Sequence, residues 1–175
     1  MKNYQLFLAS FYEPKKLAAF RLLPIGKVFQ YVFLFVSLST LVSFIRFLTG
    51  DIDLFGSSQE LIEYAKTVGG LLYPMAFVLQ LVISTFYLFI RVSFFGLVGL
   101  GLLKLFKRRG EYRHMWRTSA VSITVPILVS LVLDSAHLAN DYNFIITAVI
   151  HIAYLAMAAN YYPKQLQAKV KVSRA

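Results

Sequence analysis

A chain of 175 residues suits one compact domain, and 58% hydrophobic residues with a mean hydropathy of +0.65 exceed the about 45–50% apolar content of a soluble domain. Cysteine is absent, which excludes disulfides, thiolate nucleophiles, iron–sulfur clusters and cysteine zinc sites. The net charge of +10 is compatible with nucleic acid or with a membrane, and its placement beside long apolar runs favours the membrane.

Residues 1–24, MKNYQLFLASFYEPKKLAAFRLLP, precede the first long apolar run. No small-residue cleavage pattern follows that run, so the segment does not read as a standard signal peptide. Leu6, Phe7, Phe11, Leu17 and Phe20 alternate with Lys2, Lys15, Lys16 and Arg21, and Pro14 suits the first turn of a helix. Two readings stand. The segment is an amphipathic helix in the inner interface with its bases on lipid headgroups, or it is a lead-in packed against the rest of the chain.

Residues 25–48 predict the first span. Lys27 at its start and Arg46 near its end snorkel to opposite surfaces. Ser37, Ser39, Thr40 and Ser43 fall on neighbouring turns, where small hydroxyl residues favour close helix packing, a reading preferred over a polar pathway. Residues 49–70 form an outer loop, acidic through Asp51, Asp53, Glu60 and Glu63 against Lys66. Ser57 and Glu60 fit a capping box, and Leu61, Tyr64, Ala65 and Val68 predict a short amphipathic helix that Gly69 and Gly70 stop. Asp51 and Asp53 lack the further ligands and distal glutamate of a calcium loop.

Residues 71–104, LLYPMAFVLQLVISTFYLFIRVSFFGLVGLGLLK, predict a second span with Pro74 in its first turn. As one helix it runs about 50 Å, against a hydrocarbon core of about 30 Å. No turn residues interrupt it near Arg91, and two halves of about 13–20 residues are short for spanning, so five spans are rejected. Gly96, Gly99 and Gly101 miss the GxxxG spacing but suit a close crossing or a soft point.

In residues 105–117, Lys107, Arg108, Arg109, Arg113 and Arg117 outnumber Glu111, and Tyr112 and Trp116 sit where aromatic belts form. Residues 118–133 predict a third span, kinked at Pro126, with Ser122, Thr124 or Ser130 to satisfy the freed backbone groups. Asp134, His137 and Asp141 mark a short outer connection. Residues 144–162 predict the fourth span, closing on an interfacial belt of Tyr161 and Tyr162, and a basic surface tail covers residues 163–175.

The expected fold is therefore all-α: a polytopic transmembrane bundle of four spans with an N-terminal amphipathic interfacial helix. Bases gather on the side of the two termini and acids on the other, so the positive-inside rule puts both termini in the cytoplasm of a multi-pass cell-membrane protein. Lys15, Lys16, Arg21, Lys107, Arg108, Arg109, Arg113 and Arg117 are the expected contacts to anionic lipid headgroups. No nucleic-acid-binding fold surrounds them.

Intramembrane charge is costly and faces a bundle interior or a cavity. Arg91, Asp134 and His151 are accordingly the candidate intramembrane network; the alternative is that Arg91 snorkels from a tilted helix. The three histidines, His114, His137 and His151, fall at different depths, which argues against a metal site and against a serine–histidine–acid triad. The glycines of residues 96–101 lack the lysine and preceding strand of a phosphate loop. No enzyme and no cofactor are expected.

The opening SFYEPKKLAAFR of residues 10–21, followed by IGKVFQYVFL, resembles the start of an uncharacterised integral membrane family of Gram-positive bacteria, a domain of unknown function. The long LLYPMAFVLQL helix, the basic EYRHMWRTS stretch and two closing spans follow in the same order, so the resemblance covers nearly the whole chain. Some members of that family carry the label maltodextrin-utilisation protein MalA, and the family is distantly similar to Yip-type membrane proteins. The segment 49–70 is shorter here than is usual there. The resemblance implies no catalytic residues. The expected function is a non-enzymatic accessory or regulatory membrane protein that binds lipid, another membrane protein or transporter, or itself. The alternative is a small homo-oligomeric transporter or channel with Arg91 lining the path.

Overall fold

The computed structural model describes residues 3–49, 63, 67, 69–135 and 142–165. Among them the chain is helical, with no strand beyond one isolated bridge. Two short N-terminal helices, α1 (Asn3–Tyr12) and α2 (Pro14–Ala19), lead through a 3-10 turn at Phe20–Leu22 into α3 (Ile25–Leu48). A 3-10 turn at Gly69–Leu71 opens α4 (Leu72–Leu105). Then come α5 (Tyr112–Ser122), α6 (Thr124–Ser135) and α7 (Asn143–Asn160). Four stretches are long and apolar enough to cross a membrane: 25–48, 69–105, 112–134 and 143–160.

Each spanning helix buries one stripe and turns an apolar face outward. On α3 the buried side chains are Val28, Tyr31, Val32, Phe35, Val36 and Thr40, the spacing of one helix face. The opposite face shows Phe33, Leu34, Leu41 and Ile45. A helix that is apolar outside as well as inside needs an apolar solvent around it, so packing, close approach and interhelical hydrogen bonds hold the bundle together.

The second span is a single helix of 34 residues, as the uninterrupted run implies. Its inward stripe changes character along its length. Up to just past its middle it carries Gln80, Ser84 and Arg91, and beyond that it carries Gly96 and Gly99. The glycines set a close crossing with α5: a Cβ on Gly96 would lie 3.3 Å from the Trp116 Cα, and one on Gly99 would meet the Met115 side chain. Gly101 faces open space. Nearby, the Ser119 hydroxyl donates to the Val92 carbonyl at 3.0 Å and locks the register of the two helices.

The third span is not one helix but two, joined at Ile123. Pro126 lacks an N–H, and its ring crowds the carbonyl four residues earlier, that of Ser122, so the ladder breaks there. Neighbouring hydroxyls bond back to carbonyls of the preceding turn beside the break. Thr124 donates to Val121 O at 2.7 Å and Ser122 to Ser119 O at 3.1 Å, while Ser130 instead reaches Asp134. Thr124 also shares a 2.7 Å hydrogen bond with Tyr31, which ties α6 to α3.

The N-terminal segment packs against the bundle, as the second of its two readings has it. Leu6, Leu17 and Phe20 are buried in the same core as Tyr31, Phe35, Val92 and Ala158. Tyr154 donates to the Phe11 carbonyl, joining α7 to α1. Lys15 and Lys16 stay exposed.

Helix α4 ends in a Schellman arrangement, with Arg108 N–H on Leu103 O and Lys107 N–H on Lys104 O. Lys107 takes the left-handed position usually given to glycine, at φ 51°. The chain after α7 then pairs with this connection, Arg109 N–H to Pro163 O at 2.7 Å and Gln165 N–H to Lys107 O at 3.0 Å. The base-rich stretch expected as a loop up to Arg117 is therefore short, because Arg113 and Arg117 already lie on α5. Tyr162 does not stand in an interfacial belt either. It is buried, with its hydroxyl 2.7 Å from the Thr118 hydroxyl, whereas Tyr161 is exposed.

The capping box at Ser57 and Glu60, the aspartates 51, 53 and 141, His137 and the tail beyond Gln165 lie outside the described residues. Glu63 and Thr67 are helical, and the Thr67 hydroxyl donates to the Glu63 carbonyl. Gly69, at φ 54°, takes the left-handed position at the start of the 3-10 turn that opens α4.

Candidate functional site

Two arrangements carry chemistry, one at each end of the bundle. In the half away from the basic connection, three polar stripes converge on a cavity of about 170 Å³. Helix α3 contributes Ser39 and Ser43, one turn apart. Helix α4 contributes Gln80, Ser84, Tyr87 and Arg91 at successive turns of one face. Helix α6 contributes Ser130 and Asp134. These spacings of three and four residues place each set on a single helix face.

Arg91 is 4% exposed. Its Nη1 donates to the Tyr87 hydroxyl at 2.7 Å, one turn back, which draws the guanidinium along the helix toward the cavity. Its Cζ lies 5.8 Å from the Tyr87 ring centre and 5.9 Å from that of Phe95. Nε and Nη2 are buried without a hydrogen-bond partner. The Thr40 hydroxyl and Arg46 Nε, on α3, are buried and unpartnered as well.

Asp134 lines the same cavity but forms no ion pair with Arg91. It accepts from Asn143 Nδ2 at 2.8 Å and from the Ser130 hydroxyl at 3.4 Å. The register explains the separation. Ser119 is level with Val92, and Asp134 lies fifteen residues further along the span, about 22 Å at helical rise, while Arg91 lies one residue from Val92. Among the described residues the ion pairs are Lys16–Glu13 and Arg113–Glu111, both exposed.

His151 stands apart from the cavity. Its Nε2 lies 3.3 Å from the Ser119 carbonyl and 3.4 Å from the Ser119 hydroxyl, and its Nδ1 has no partner. It stacks on Phe95 at 4.3 Å between ring centres. Phe95 thus touches both Arg91 and His151, and the two are linked through an aromatic ring rather than a hydrogen bond.

At the other end the eight expected lipid contacts divide into two groups. Lys15, Lys16, Lys107, Arg109 and Arg113 are exposed. Arg21, Arg108 and Arg117 are partly buried and bind protein groups. Arg21 lies over the Tyr162 ring at 4.9 Å, Arg108 donates to Tyr162 O at 2.9 Å, and Arg117 donates to Arg21 O at 3.1 Å. Burial pushes the Tyr162 phenol above its ordinary value of 10.0, while its hydrogen bond to Thr118 and the charge of Arg21 pull the other way.

Between the starts of α3 and α5 lies a cleft of about 260 Å³. Ile25, Phe29, Tyr112 and Trp116 form its walls, with Arg113 and Arg117 beside them. The Trp116 indole N–H donates to the Ser93 hydroxyl at 3.1 Å, and its ring packs on Phe29 and Phe89, which fixes one wall.

Sequence reasoning singled out Arg91 and Asp134 but assigned Ser39, Ser43 and Ser130 to packing or backbone repair, and it passed over Gln80 and Ser84. A helical stripe of polar residues spaced four apart, Gln80, Ser84 and then Arg91, was the available signal.

No curated protein and no solved structure matches the chain. The family model described as a protein of unknown function (DUF1189) matches residues 51–159, from the acidic segment to the last turn of α7. The opening motif of residues 10–21 precedes the matched stretch. Because the match covers more than half of the chain, and spans both the Arg91 cavity's α4 and α6 walls and the α4–α5 crossing, the chain belongs to the DUF1189 family.

Proposed function

We propose that this chain is a non-enzymatic accessory or regulatory protein of the cell membrane, with both termini cytoplasmic, that works by holding anionic lipid or a neighbouring membrane protein against its basic end. The cleft between α3 and α5 carries the reading. Its apolar walls suit the glycerol and acyl part of a lipid, and the guanidinium groups of Arg113 and Arg117 suit a phosphate. The exposed Lys15, Lys16, Lys107 and Arg109 add attraction of about 1 kcal/mol each near an anionic surface. The Gram-positive source, the maltodextrin-utilisation label and the distant Yip-type likeness rest on the resemblance of residues 10–21 and the motifs after them.

The test is lipid selectivity in reconstituted vesicles, read by spin-labelled phosphatidylglycerol against spin-labelled phosphatidylcholine. The wild-type chain is expected to enrich the anionic lipid, and the Arg113→Gln, Arg109→Gln, Lys107→Gln triple variant to lose most of that preference. Equal selectivity in both would remove the lipid half of the reading.

The polar cavity at the opposite end favours a second reading, a small homo-oligomeric transporter or channel with Arg91 beside the path. Purification in mild detergent separates the two. A stable heteromeric partner supports the accessory role; a lone symmetric oligomer that passes solute in liposomes supports the second.

A further inference from the structure

The guanidinium of Arg91 carries five N–H donors and no acceptor, so each buried N–H calls for a partner. A buried guanidinium is ordinarily paired and fully hydrogen-bonded. Arg91 has one hydrogen bond, to the neutral Tyr87 hydroxyl, and two nitrogens without a partner. The one acid lining its cavity, Asp134, is engaged by Asn143 and Ser130 and stands several turns away along the bundle. The cavity that Arg91 lines also holds neutral donors, Ser84 two turns back on α4, Gln80 a further turn away, and Ser39 and Ser43 on α3. A cation with free N–H groups, in a cavity shared with hydroxyls and an amide, is the donor set of an anion site.

The way in is also defined. Ile83 and Tyr87 line the cavity and are at the same time half exposed on the flank of α4. Their neighbours on that flank, Leu79, Phe86 and Ile90, are exposed apolar side chains. The opening therefore faces the apolar surroundings of the helix, and it admits a molecule with an anionic head and an apolar remainder as readily as a small ion.

We propose that the Arg91 cavity binds an anionic oxygen group, a carboxylate or a phosphate, held by the under-bonded Arg91 guanidinium, with Ser84 the nearest cavity-lining serine along α4. This site is separate from the cleft at the basic end and does not depend on the lipid selectivity proposed for that cleft, nor on whether the bound group crosses the membrane.

The experiment uses the full chain purified in a neutral maltoside detergent, with thermal unfolding followed by circular dichroism. Inorganic phosphate and acetate probe a free anion. Oleate and dioleoyl phosphatidic acid probe a lipid head, against methyl oleate and dioleoylglycerol as uncharged counterparts. At least one anion is expected to raise the midpoint by about a few degrees over its uncharged counterpart or salt control. Its apparent affinity is expected to fall roughly tenfold or more in Arg91→Gln. Ser84→Leu fills the cavity while leaving the charge in place, and it is expected to lose the effect too. It decides the matter alone if Arg91→Gln does not fold. A variant lacking Lys15, Lys16 and Lys107, each replaced by Gln, is expected to keep the shift, which excludes binding at those lysines, and loss of the shift in Arg91→Gln, which leaves Arg113 and Arg117 in place, excludes binding at the basic cleft. A response to the small ions identifies a free anion, and a response only to the lipids identifies a headgroup. The proposal is overturned if no anion shifts the wild-type chain, or if the shift survives in Ser84→Leu or in a folded Arg91→Gln.

Discussion

Single side chains at the basic end do two jobs that look alike on paper. Arg113 is exposed, whereas Arg21 caps the face of Tyr162 and Arg108 holds that residue's carbonyl. Tyr162 is thus the point where the start of the chain, the α4–α5 connection and the chain after α7 meet. Tyr162→Phe removes its hydrogen bond to Thr118, which keeps a bond to the His114 carbonyl, so the expected cost is about 1 kcal/mol in a denaturation series. The same variant should alter the alkaline limb of stability. Burial raises the phenol of the folded state above its ordinary 10.0, so above that value the unfolded chain loses its proton first. The phenol's contribution is present below the ordinary value and fades as pH climbs through the raised one. Wild-type stability should therefore drop more steeply than that of Tyr162→Phe across this range, and parallel curves would contradict the assignment. Arg91 was legible in the sequence because a charge in the middle of an apolar helix has few places to go. The roles of Arg21, Arg108 and Arg117 were not, since nothing local to a base tells whether a distant carbonyl or ring will reach it.

At the scale of helices, continuity and interruption were both readable. An apolar run without turn residues gave one long α4, and Pro126 announced a break, although its place at Ile123 follows from the carbonyl the proline ring displaces. What stayed hidden was the partner of each stripe. Ser39 and Ser43 look like ordinary small packing residues until α4 brings Gln80, Ser84 and Arg91 opposite them. The glycines separate cleanly once the crossing is known. Gly96→Leu pushes a side chain into the Trp116 backbone and is expected to cost about 1–3 kcal/mol. Gly101→Ala points into open space, removes a flexible residue from a helix and is expected to stabilise by about 0.5–1 kcal/mol. Thermal unfolding in detergent measures both, and a Gly96→Leu chain as stable as wild type would contradict the close crossing.

For the whole molecule, the charge pattern gives an orientation that the cysteine-free sequence makes simple to check. Tyr64→Cys is expected to react with an impermeant maleimide in intact cells, and Lys107→Cys only after lysis. The reverse pattern would invert the assignment of both ends. The four-span bundle followed from the length and polarity of its apolar runs. The polar cavity did not, because it exists only in the register that Ser119 and Val92 impose between the second and third spans.

The unequal helix lengths carry a mechanical consequence. Helix α4 has 34 residues, about 51 Å, while α7 has 18, about 27 Å, and both show apolar side chains outward. A bilayer of about 30 Å hydrocarbon thickness fits the α7 flank almost without strain, while along α4 the excess is taken up by tilt, by local thickening or by extension of the helix past the hydrocarbon. Lipids circling this small protein therefore meet two different heights within one turn around it. The difference in length between the two flanks ties the energy of the molecule to the thickness of the bilayer around it.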